Sequence, residues 1–529
     1  MHTRRTLRRT RTAATLLATA ALLVSACSSG STTSTAAGSA AAAEGAALAA
    51  LPQATPAALR PYYGQKLAWR ACGAPGFECA TLKAPRDYAD PSAGDVRLAV
   101  ARKKATGPGG RLGSLLVNPG GPGGSAVDYL QAYAGVGYPA QVRARYDMVG
   151  VDPRGVARSE PVECLDGPEM DAYTRTDTTP DDRKETDRLV EAYRTFAEGC
   201  GRDAPELLRH VSTVEAARDM DILRAVLGDR KLHYVGASYG TFLGATYAGL
   251  FPDRVGRLVL DGAMDPSLPA RRLNLEQTAG FETAFQSFAK DCVRQPDCPL
   301  GGPGTKPAQV GRNLKAFFGK LDARPLATGD ADGRRLTESL ATIGVIAAMY
   351  DEGAWPRLRE ALASAMRDGD GAGLLLLSDS YYEREAGGRY SNLMYANAAV
   401  NCLDLPPAFE SPDEVREALP AFRKASPVFG EGLAWASLNC AYWPVAATGE
   451  PHRIQARGAA PIVVVGTTRD PATPYRWAQA LARQLSSARL LTYQGDGHTA
   501  YGRGSSCIDS AINAYLLRGT APADGKRCS

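Results

Sequence analysis

One serine lies in a pattern that could make it a nucleophile. Residues Gly236–Gly240 read Gly-Ala-Ser-Tyr-Gly, which is typical of a sharp turn from a strand into a helix that exposes the serine hydroxyl. The apolar run Leu232–Val235 before it favours a strand, residues 241–251 favour a helix, and residues 257–262 favour a second strand. An ordinary glycine-rich turn is the alternative, but this context favours Ser238 as the nucleophile.

A serine hydroxyl needs a base, because it is a weak nucleophile near neutral pH. The chain holds five histidines, so each can be considered in turn. His2 lies in the N-terminal segment, and His210 begins a polar stretch. His233 lies inside a predicted strand, and His452 lies in a loop. His498 lies in a glycine-rich loop directly after the apolar run Arg489–Tyr493. This position at the end of a late strand predicts His498 as the base.

A carboxylate is needed to orient the base and to stabilise its charged form. It is expected between the serine and the histidine in chain order. The β-branched run Pro461–Gly466 predicts a strand buried on both faces, and Asp470 lies in the loop that follows. Asp496 is a rival, because it lies only two residues from His498. We favour Asp470.

Backbone N–H groups are needed to stabilise the oxyanion that forms during acyl transfer. The residue after the nucleophile, Tyr239, is expected to provide one of them. The second should come from the glycine-rich loop Asn118–Ser125, which follows the predicted strand Ser114–Val117. A phosphate-binding loop is the alternative reading, but the Gly-Lys-Ser/Thr ending of such a loop is missing.

These motifs together resemble a known family. Asn-Pro-Gly-Gly-Pro-Gly-Gly-Ser at 118–125, Val-Asp-Pro-Arg-Gly-Val-Ala-Arg-Ser at 151–159, Gly-Ala-Ser-Tyr-Gly-Thr at 236–241, Thr-Arg-Asp-Pro-Ala-Thr-Pro at 468–474 and Gly-Asp-Gly-His-Thr at 495–499 are similar to motifs of the secreted bacterial tripeptidyl aminopeptidases. Those enzymes are serine exopeptidases related to the prolyl aminopeptidases, which carry a histidine where this chain has Pro119.

The resemblance implies an α/β-hydrolase fold, with a mostly parallel central sheet and an inserted, mainly helical cap. It also implies that Gly121 donates the second oxyanion hydrogen bond. The expected substrates are peptides with a free N-terminus, from which short peptides, expected to be tripeptides, are released. Some relatives are described as carboxylesterases, so an esterase or lipase with the same three catalytic residues is the alternative.

The N-terminus has the features of an export signal. Five arginines precede the short apolar stretch Ala13–Val24, and the run Val24-Ser25-Ala26-Cys27 resembles a lipobox, with Cys27 as the lipidated residue. The low-complexity segment 28–50 would form a flexible tether. We therefore expect an exported protein anchored by Cys27 to the outer face of the cell membrane. Removing the five arginines lowers the formal net charge from +5 to zero, which argues against binding to nucleic acid.

The cysteines indicate disulfides. Ten of the eleven remain once Cys27 is set aside, an even number in a chain with an export signal. Ten cysteines allow about 945 pairings, so spacing alone does not fix the pairs. The simplest arrangement joins neighbours in the sequence: Cys72–Cys79, Cys164–Cys200, Cys292–Cys298, Cys402–Cys440 and Cys507–Cys528. No metal and no cofactor are predicted.

The chain divides into two parts of a core around an insertion. Residues 51–266 carry the early strands and the serine turn, and residues 456–529 carry the acid and the base. Residues 267–455 form the predicted cap, which would limit the length of substrate admitted. Amphipathic helices are predicted within it at Thr278–Cys292, Val310–Leu321, Leu336–Tyr350 and Leu358–Met366.

The two function hypotheses require different cap residues. An aminopeptidase needs an acidic group to hold the substrate ammonium, and the candidates are Glu276, Glu383, Glu385 and Asp404. An esterase would want an apolar pocket, which Leu374–Leu377 could line, although a core helix is the simpler interpretation of that run.

Overall fold

The strands predicted from apolar runs join one sheet. The computed structural model describes residues 46–529, so Cys27, the predicted signal and nearly all of the predicted tether lie outside the described residues. Within 46–529 the sheet has ten strands. They are β1 (Arg70–Ala71), β2 (Phe77–Pro85), β3 (Asp95–Lys103), β4 (Gly113–Asn118), β5 (Tyr146–Val151), β6 (Leu232–Ala237), β7 (Val255–Asp261), β8 (Ile462–Arg469), β9 (Ala488–Asp496) and β10 (Lys526–Cys528).

The order of the strands is β1-β2-β3-β5-β4-β6-β7-β8-β9-β10. The first three strands and β5 pair antiparallel, and every pair from β5 to β10 is parallel. The carboxyl ends of β6, β8 and β9 therefore lie at one edge of the sheet, which is where ligands bind in open parallel sheets. This mostly parallel sheet with helices confirms the predicted α/β class.

The helices of the core cover both faces of this sheet. The core helices that precede β7 in the chain are α1 (Arg60–Tyr63), α2 (Ala126–Tyr129), α3 (Gly135–Gly137), α4 (Ala140–Arg143), α5 (Gly167–Thr174), α6 (Arg183–Asp203), α7 (Thr213–Val226) and α8 (Tyr239–Leu250). Alternate residues of β8 are buried on opposite faces of the sheet: Val464 belongs to one apolar core, whereas Val463 and Val465 belong to the other. Burial on both faces is what selects the continuous β-branched run of β8.

The segment between β7 and β8 is mainly helical. It holds α9 (Ala270–Cys292), α10 (Pro307–Ala323), α11 (Glu338–Met349), α12 (Trp355–Ala363), α13 (Ala372–Tyr382), α14 (Leu393–Asp404), α15 (Pro412–Ala425) and α16 (Gly430–Ala436), and β8 is followed by α17 (Tyr475–Gln484) and α18 (Ser506–Arg518). Helices α9 to α13 enclose an apolar core of their own around Phe285, Phe288 and Val345.

All four helices predicted in this segment are present, but α9 begins at Ala270 rather than at Thr278. Its first two turns carry Leu273, Asn274 and Gln277, which line a cavity instead of packing into the apolar core. Amphipathic periodicity therefore starts only where the helix reaches that core, and the sequence pattern missed the earlier turns.

The five disulfides predicted from neighbouring cysteines are present in the structure. Two of them tie the helical segment together, through Cys292–Cys298 after α9 and Cys402–Cys440 at the end of α14. Among residues 46–529 we find no helix with the length and apolar character needed to span a bilayer.

Candidate active site

Ser238 lies at the turn between β6 and α8, with φ 56° and ψ −125°. A positive φ is rare for a non-glycine residue, and such strain is often found at functional sites. The two glycines of the motif allow the turn, because a Cβ on Gly236 would come within 2.3 Å of the Gly240 carbonyl oxygen. The Ser238 N–H donates to the Asp261 carbonyl at the end of β7, 2.9 Å away. The neighbouring strand thus fixes the turn in place.

Asp470 and His498 come together from the loops after β8 and β9. The His498 Nδ1 lies 2.8 Å from one oxygen of the Asp470 carboxylate and 3.0 Å from the other. Asp470 is 2% exposed and also accepts backbone N–H bonds from Ala472, Thr473 and Thr499. With Nδ1 bonded to a carboxylate, the imidazole presents Nε2 as the proton acceptor. Within residues 46–529 this Nε2 atom is buried and makes no hydrogen bond.

The rival acid, Asp496, is engaged elsewhere. Its two oxygens accept a bidentate pair of hydrogen bonds from the Arg469 guanidinium, each 2.7 Å long. Although burial alone would raise the pKa of Asp496, the hydrogen bonds from Arg469 hold it below the usual value. Asp496 therefore forms an ion pair with Arg469 at the end of the sheet, and among residues 46–529 no hydrogen bond joins its carboxylate to the His498 ring.

The glycine-rich loop after β4 lies directly against the serine turn. A Cβ on Gly120 would come within 2.8 Å of the Ser238 Cβ and 3.0 Å of the Tyr239 nitrogen. Only glycine allows this approach, and φ of +97° at Gly120 and +113° at Gly121 also favour it. Gly121 and Ser238 line the same cavity. The predicted oxyanion donors, the N–H groups of Gly121 and Tyr239, thus belong to the glycine-rich loop and to the start of α8, which are in contact with each other.

The cavity next to Ser238 has a volume of about 310 Å³. Core loops form one side, and helices α9 and α14 contribute the other. Many of its lining side chains are polar, among them Asn274, Gln277, Asn397, Asn401 and Asp404. On α14 these residues are spaced four and three apart, so Asn397, Asn401 and Asp404 share one face of the helix. Asn397 also donates through Nδ2 to the Pro122 carbonyl, 3.0 Å away, which ties α14 to the glycine-rich loop.

One of the four candidate acids, Asp404, lines this cavity. Glu276 lies outside its lining and is held by the Trp477 indole N–H at 2.6 Å and by two arginines. Glu383 and Glu385 are exposed and bond to Ser391 and Arg389. The leucine run does not line the cavity either: Leu374, Leu375 and Leu377 are buried in the helical segment's own core, and Leu376 is exposed.

Asp404 is buried at the end of α14 and has few hydrogen-bond donors. Thr213 donates to it through its backbone N–H at 2.8 Å and through its hydroxyl. The Thr213 hydroxyl also lies 2.6 Å from the Tyr239 hydroxyl. The side chain of Tyr239, the residue after Ser238, is therefore linked to the Asp404 carboxylate through Thr213. Burial raises the pKa of Asp404 to about 7. An anion in this place would be stabilised by a cation in the cavity.

Two buried carboxylates near the site were missed by sequence reasoning. Asp261, at the end of β7, accepts N–H bonds from Ala500 at 3.0 Å and Tyr501 at 2.8 Å and so holds the loop that carries His498. Its place at the end of a predicted strand was a usable signal. Asp265 is buried and lines the cavity, with one oxygen bonded to Ser267 and Gln484. No sequence pattern marks Asp265.

Among the described residues, 46–529, two groups of side chains have the spacing of a cation site. Asp87, His210 and Glu215 form one, and Asp177, Asp322 and Glu338 form the other, each with ligand atoms within 4.8 Å of one another. The Arg154 guanidinium lies 3.5 Å from Glu215 and would compete with a cation in the first group. Neither group shares a residue with the lining of the cavity beside Ser238.

Comparison with known proteins places the chain among serine hydrolases. A family model described as "TAP-like protein" matches residues 426–528. Serine protease Hip1 of Mycobacterium tuberculosis is 39% identical over 487 residues, which cover 88% of this chain and 92% of Hip1. Carboxylesterase B of the same species is 38% identical and covers 85% of this chain and 86% of its own. Tripeptidyl aminopeptidase of Streptomyces lividans is 32% identical over a region that covers 87% of this chain and 86% of that enzyme.

Proposed function

Since this chain belongs to the bacterial tripeptidyl aminopeptidase family of α/β-hydrolases and is a serine hydrolase, we propose that it releases tripeptides from the free N-termini of peptide substrates. One observation carries the proposal. Ser238 and the buried carboxylate of Asp404 line the same cavity, and so does Thr473, whose hydroxyl lies 3.4 Å from Nδ1 of His498 in the buried His498–Asp470 pair. The serine and the imidazole–carboxylate pair suit acyl transfer, and Asp404 suits the binding of an ammonium group.

The proposed reaction is acyl transfer through Ser238. Its Oγ attacks the carbonyl carbon of the third substrate residue, and His498 Nε2 accepts the hydroxyl proton. Asp470 stabilises the imidazolium through Nδ1–H. The N–H groups of Gly121 and Tyr239 donate to the oxyanion. The C–N bond then breaks, His498 protonates the leaving amine, and a water molecule, deprotonated by the same imidazole, hydrolyses the tripeptidyl ester.

Recognition of the N-terminus is assigned to Asp404. An ammonium buried without a partner is costly, so a carboxylate should face it. From residues 46–529 the Asp404 side chain accepts two hydrogen bonds, both from Thr213, and it shares the cavity with Ser238. The polar face of α14 between them offers amide groups that can bond to a peptide backbone. In this proposal the helical segment 267–455 is the cap that closes the cavity and limits the substrate to three residues.

An esterase is the second candidate, because a relative named carboxylesterase B is 38% identical to this chain. The same Ser238, His498 and Asp470 would serve it. The amide and carboxylate side chains in the cavity wall favour a peptide over an apolar acyl chain, since a polar group left unpaired by a ligand weakens binding.

We also propose that the protein is exported and held at the outer face of the membrane by a lipid on Cys27. The support is the basic and apolar N-terminal sequence that ends in Val-Ser-Ala-Cys, together with five disulfides, which persist in oxidising compartments. Two or more acyl chains give stable anchoring. Mass spectrometry of the mature N-terminus should find a diacylated or triacylated Cys27. An unmodified N-terminus beyond Cys27, on protein found only in the medium, would contradict the anchor.

Paired chromogenic substrates test the proposed activity. We expect a tripeptide anilide with a free amine to be cleaved at least ten times faster, by kcat/KM, than its N-acetylated twin. That ratio corresponds to about 1.4 kcal/mol, a modest amount for one partly buried ion pair. A short-chain ester is measured beside them, and Ser238→Ala supplies the background. Equal rates on the two tripeptides would exclude the aminopeptidase and leave an endopeptidase or an esterase.

A further inference from the structure

The loop that carries His498 is bonded to the helical segment as well as to the core. The His498 N–H donates to the carbonyl of Tyr350, which directly follows α11, with a distance of 2.8 Å. The Tyr350 ring meets the imidazole edge-on, with centroids 5.5 Å apart and planes at 84°. Tyr350 also lines the cavity beside Ser238. The base is therefore in contact with a residue that would belong to the proposed cap.

One guanidinium joins these two parts. Arg503 donates through Nη1 to the His498 carbonyl at 2.5 Å and to the Tyr350 carbonyl at 3.3 Å. Its Nη2 donates to the Asp351 carboxylate at 2.7 Å. Arg503 is thus bonded to the histidine's own backbone and, at the same time, to two consecutive residues of the helical segment.

The local sequence makes room for this arginine. Gly497, next to His498, has φ +87°, and a Cβ there would come within 2.6 Å of the Arg503 guanidinium. The side chain of Arg503 is 22% exposed, whereas that of Asp351 is 63% exposed. The planar fork of the guanidinium can bond to several acceptors at once, which a lysine ammonium with its single nitrogen does less well.

We propose that Arg503 is a positioning residue that couples the segment Tyr350–Asp351 to His498, so that the position of the cap sets the placement of the base relative to Ser238. The Tyr350 carbonyl holds the N–H of His498 from the cap side, and Arg503 bonds to the His498 carbonyl and to the cap residues at the same time. The carboxylate of Asp470 holds the imidazole ring from the core side. A shift of Tyr350 would move the base, and a misplacement of about 1 Å can cost a hundredfold in rate. The inference depends on the proposed role of His498.

The test measures kcat and KM of Arg503→Met, Arg503→Lys and Asp351→Asn on the free tripeptide anilide, with active sites titrated by a fluorophosphonate. We expect Arg503→Met to lower kcat per titrated site at least tenfold while KM changes less than threefold. Arg503→Lys should recover part of the loss, and Asp351→Asn should lower kcat about threefold. Arg527→Met on β10, where the side chain is exposed, is the matched control and should behave like the wild type.

A destabilised fold would reduce the titrated sites but leave kcat per site unchanged, so the titration separates the two effects. A kcat for Arg503→Met within threefold of the wild type would overturn the proposal. A kcat for Asp351→Asn equal to that of the wild type would overturn the coupling to the cap. Because Asp351 is exposed, this variant tests the coupling even if Arg503→Met does not fold. His498→Ala tests the premise separately: if that variant stays active, the base assignment fails rather than the coupling.

Discussion

Two buried carboxylates, Asp470 and Asp404, border the same site but receive very different support. Asp470 accepts N–H bonds from three backbone amides and one imidazole nitrogen. Within the part of the chain that the structure describes, Asp404 accepts two hydrogen bonds, both from Thr213, and burial raises its pKa to about 7. Hydrogen bonds from neutral donors stabilise an anion where it lies. The environment of Asp470 therefore suits a permanent partner for the base. The environment of Asp404 provides little stabilisation for its negative charge, which a cationic substrate would stabilise.

The difference follows from where each residue sits in the chain. Asp470 lies in a tight loop at the end of β8, where successive backbone N–H groups converge on one side chain. Asp404 is the last residue of α14, and the N–H and hydroxyl groups that donate to it belong to Thr213, the first residue of α7. A loop can donate its own backbone N–H groups to a carboxylate within it. A carboxylate at a helix end that faces a cavity must receive hydrogen bonds from neighbouring elements or from a ligand in the cavity.

The largest expected effect separates Asp470 from Asp496. Asp470→Asn should lower kcat by about ten thousand-fold, because an amide favours the wrong tautomer of the histidine. Asp496→Asn should lower it less than tenfold, because that carboxylate is paired with Arg469. Steady-state kinetics on both variants decide this. A severe loss in Asp496→Asn with a mild loss in Asp470→Asn would reverse the assignment of the acid.

The next effect concerns the choice of substrate. Asp404→Asn should reduce the ratio of kcat/KM for free and acetylated tripeptides from at least ten to below three, mainly by raising KM for the free amine. Glu383→Gln is the matched control, because Glu383 is exposed and does not line the cavity. If the ratio survives in Asp404→Asn, the ammonium is held by another group, and Asp265 is the next candidate to replace.

The pH dependence of the same ratio should follow Asp404. Its pKa of about 7 means that the carboxylate becomes neutral as pH falls below 7, while the substrate amine loses its charge as pH rises past about 8. The ratio of free to acetylated kcat/KM should therefore be highest between these values and fall on both sides. Taking the ratio cancels any effect of pH on the catalytic steps, because the two substrates share those steps. A ratio that is flat from about pH 5.5 to 7.5 would contradict the role of Asp404.

The smallest effect is on stability. A carboxyl whose pKa rises from 3.8 to about 7 on folding binds more protons in the folded state, so its contribution to stability falls as pH rises from about 4 to 7. Removing the charge should therefore stabilise the protein above pH 7, and we expect about 1–2 kcal/mol for Asp404→Asn near pH 8. Melting temperatures near pH 5 and pH 8 measure this. A difference between variant and wild type that is the same at both pH values would speak against a buried charge.

The sequence was informative where function depends on local pattern. Apolar runs predicted the strands of the sheet. Glycines around a serine, a histidine after a late strand and an acid before proline predicted three side chains, and the structure places them after β6, β9 and β8, at one edge of the sheet. The cavity wall was less predictable, because Asp265 and Asp404 are brought there by packing between segments far apart in the chain. Asp404 was one of four equal candidates, and only burial beside Ser238 distinguishes it from the others.

The bridge formed by Arg503 shows the same limit. Nothing in the sequence near Arg503 indicates that it bonds to Tyr350 and Asp351, more than 150 residues earlier. Long-range hydrogen bonds to backbone carbonyls leave no pattern in residue types, since every residue carries a carbonyl.

Product analysis on a single peptide tests the central claim most directly. A nine-residue peptide with a free N-terminus and its acetylated twin are each incubated with the enzyme, and fragments are identified by mass spectrometry over time. The account predicts release of residues 1–3 and then 4–6 from the free peptide, little cleavage of the acetylated one and no products with Ser238→Ala. Cleavage at internal bonds, release of single residues or equal cleavage of the two peptides would contradict it.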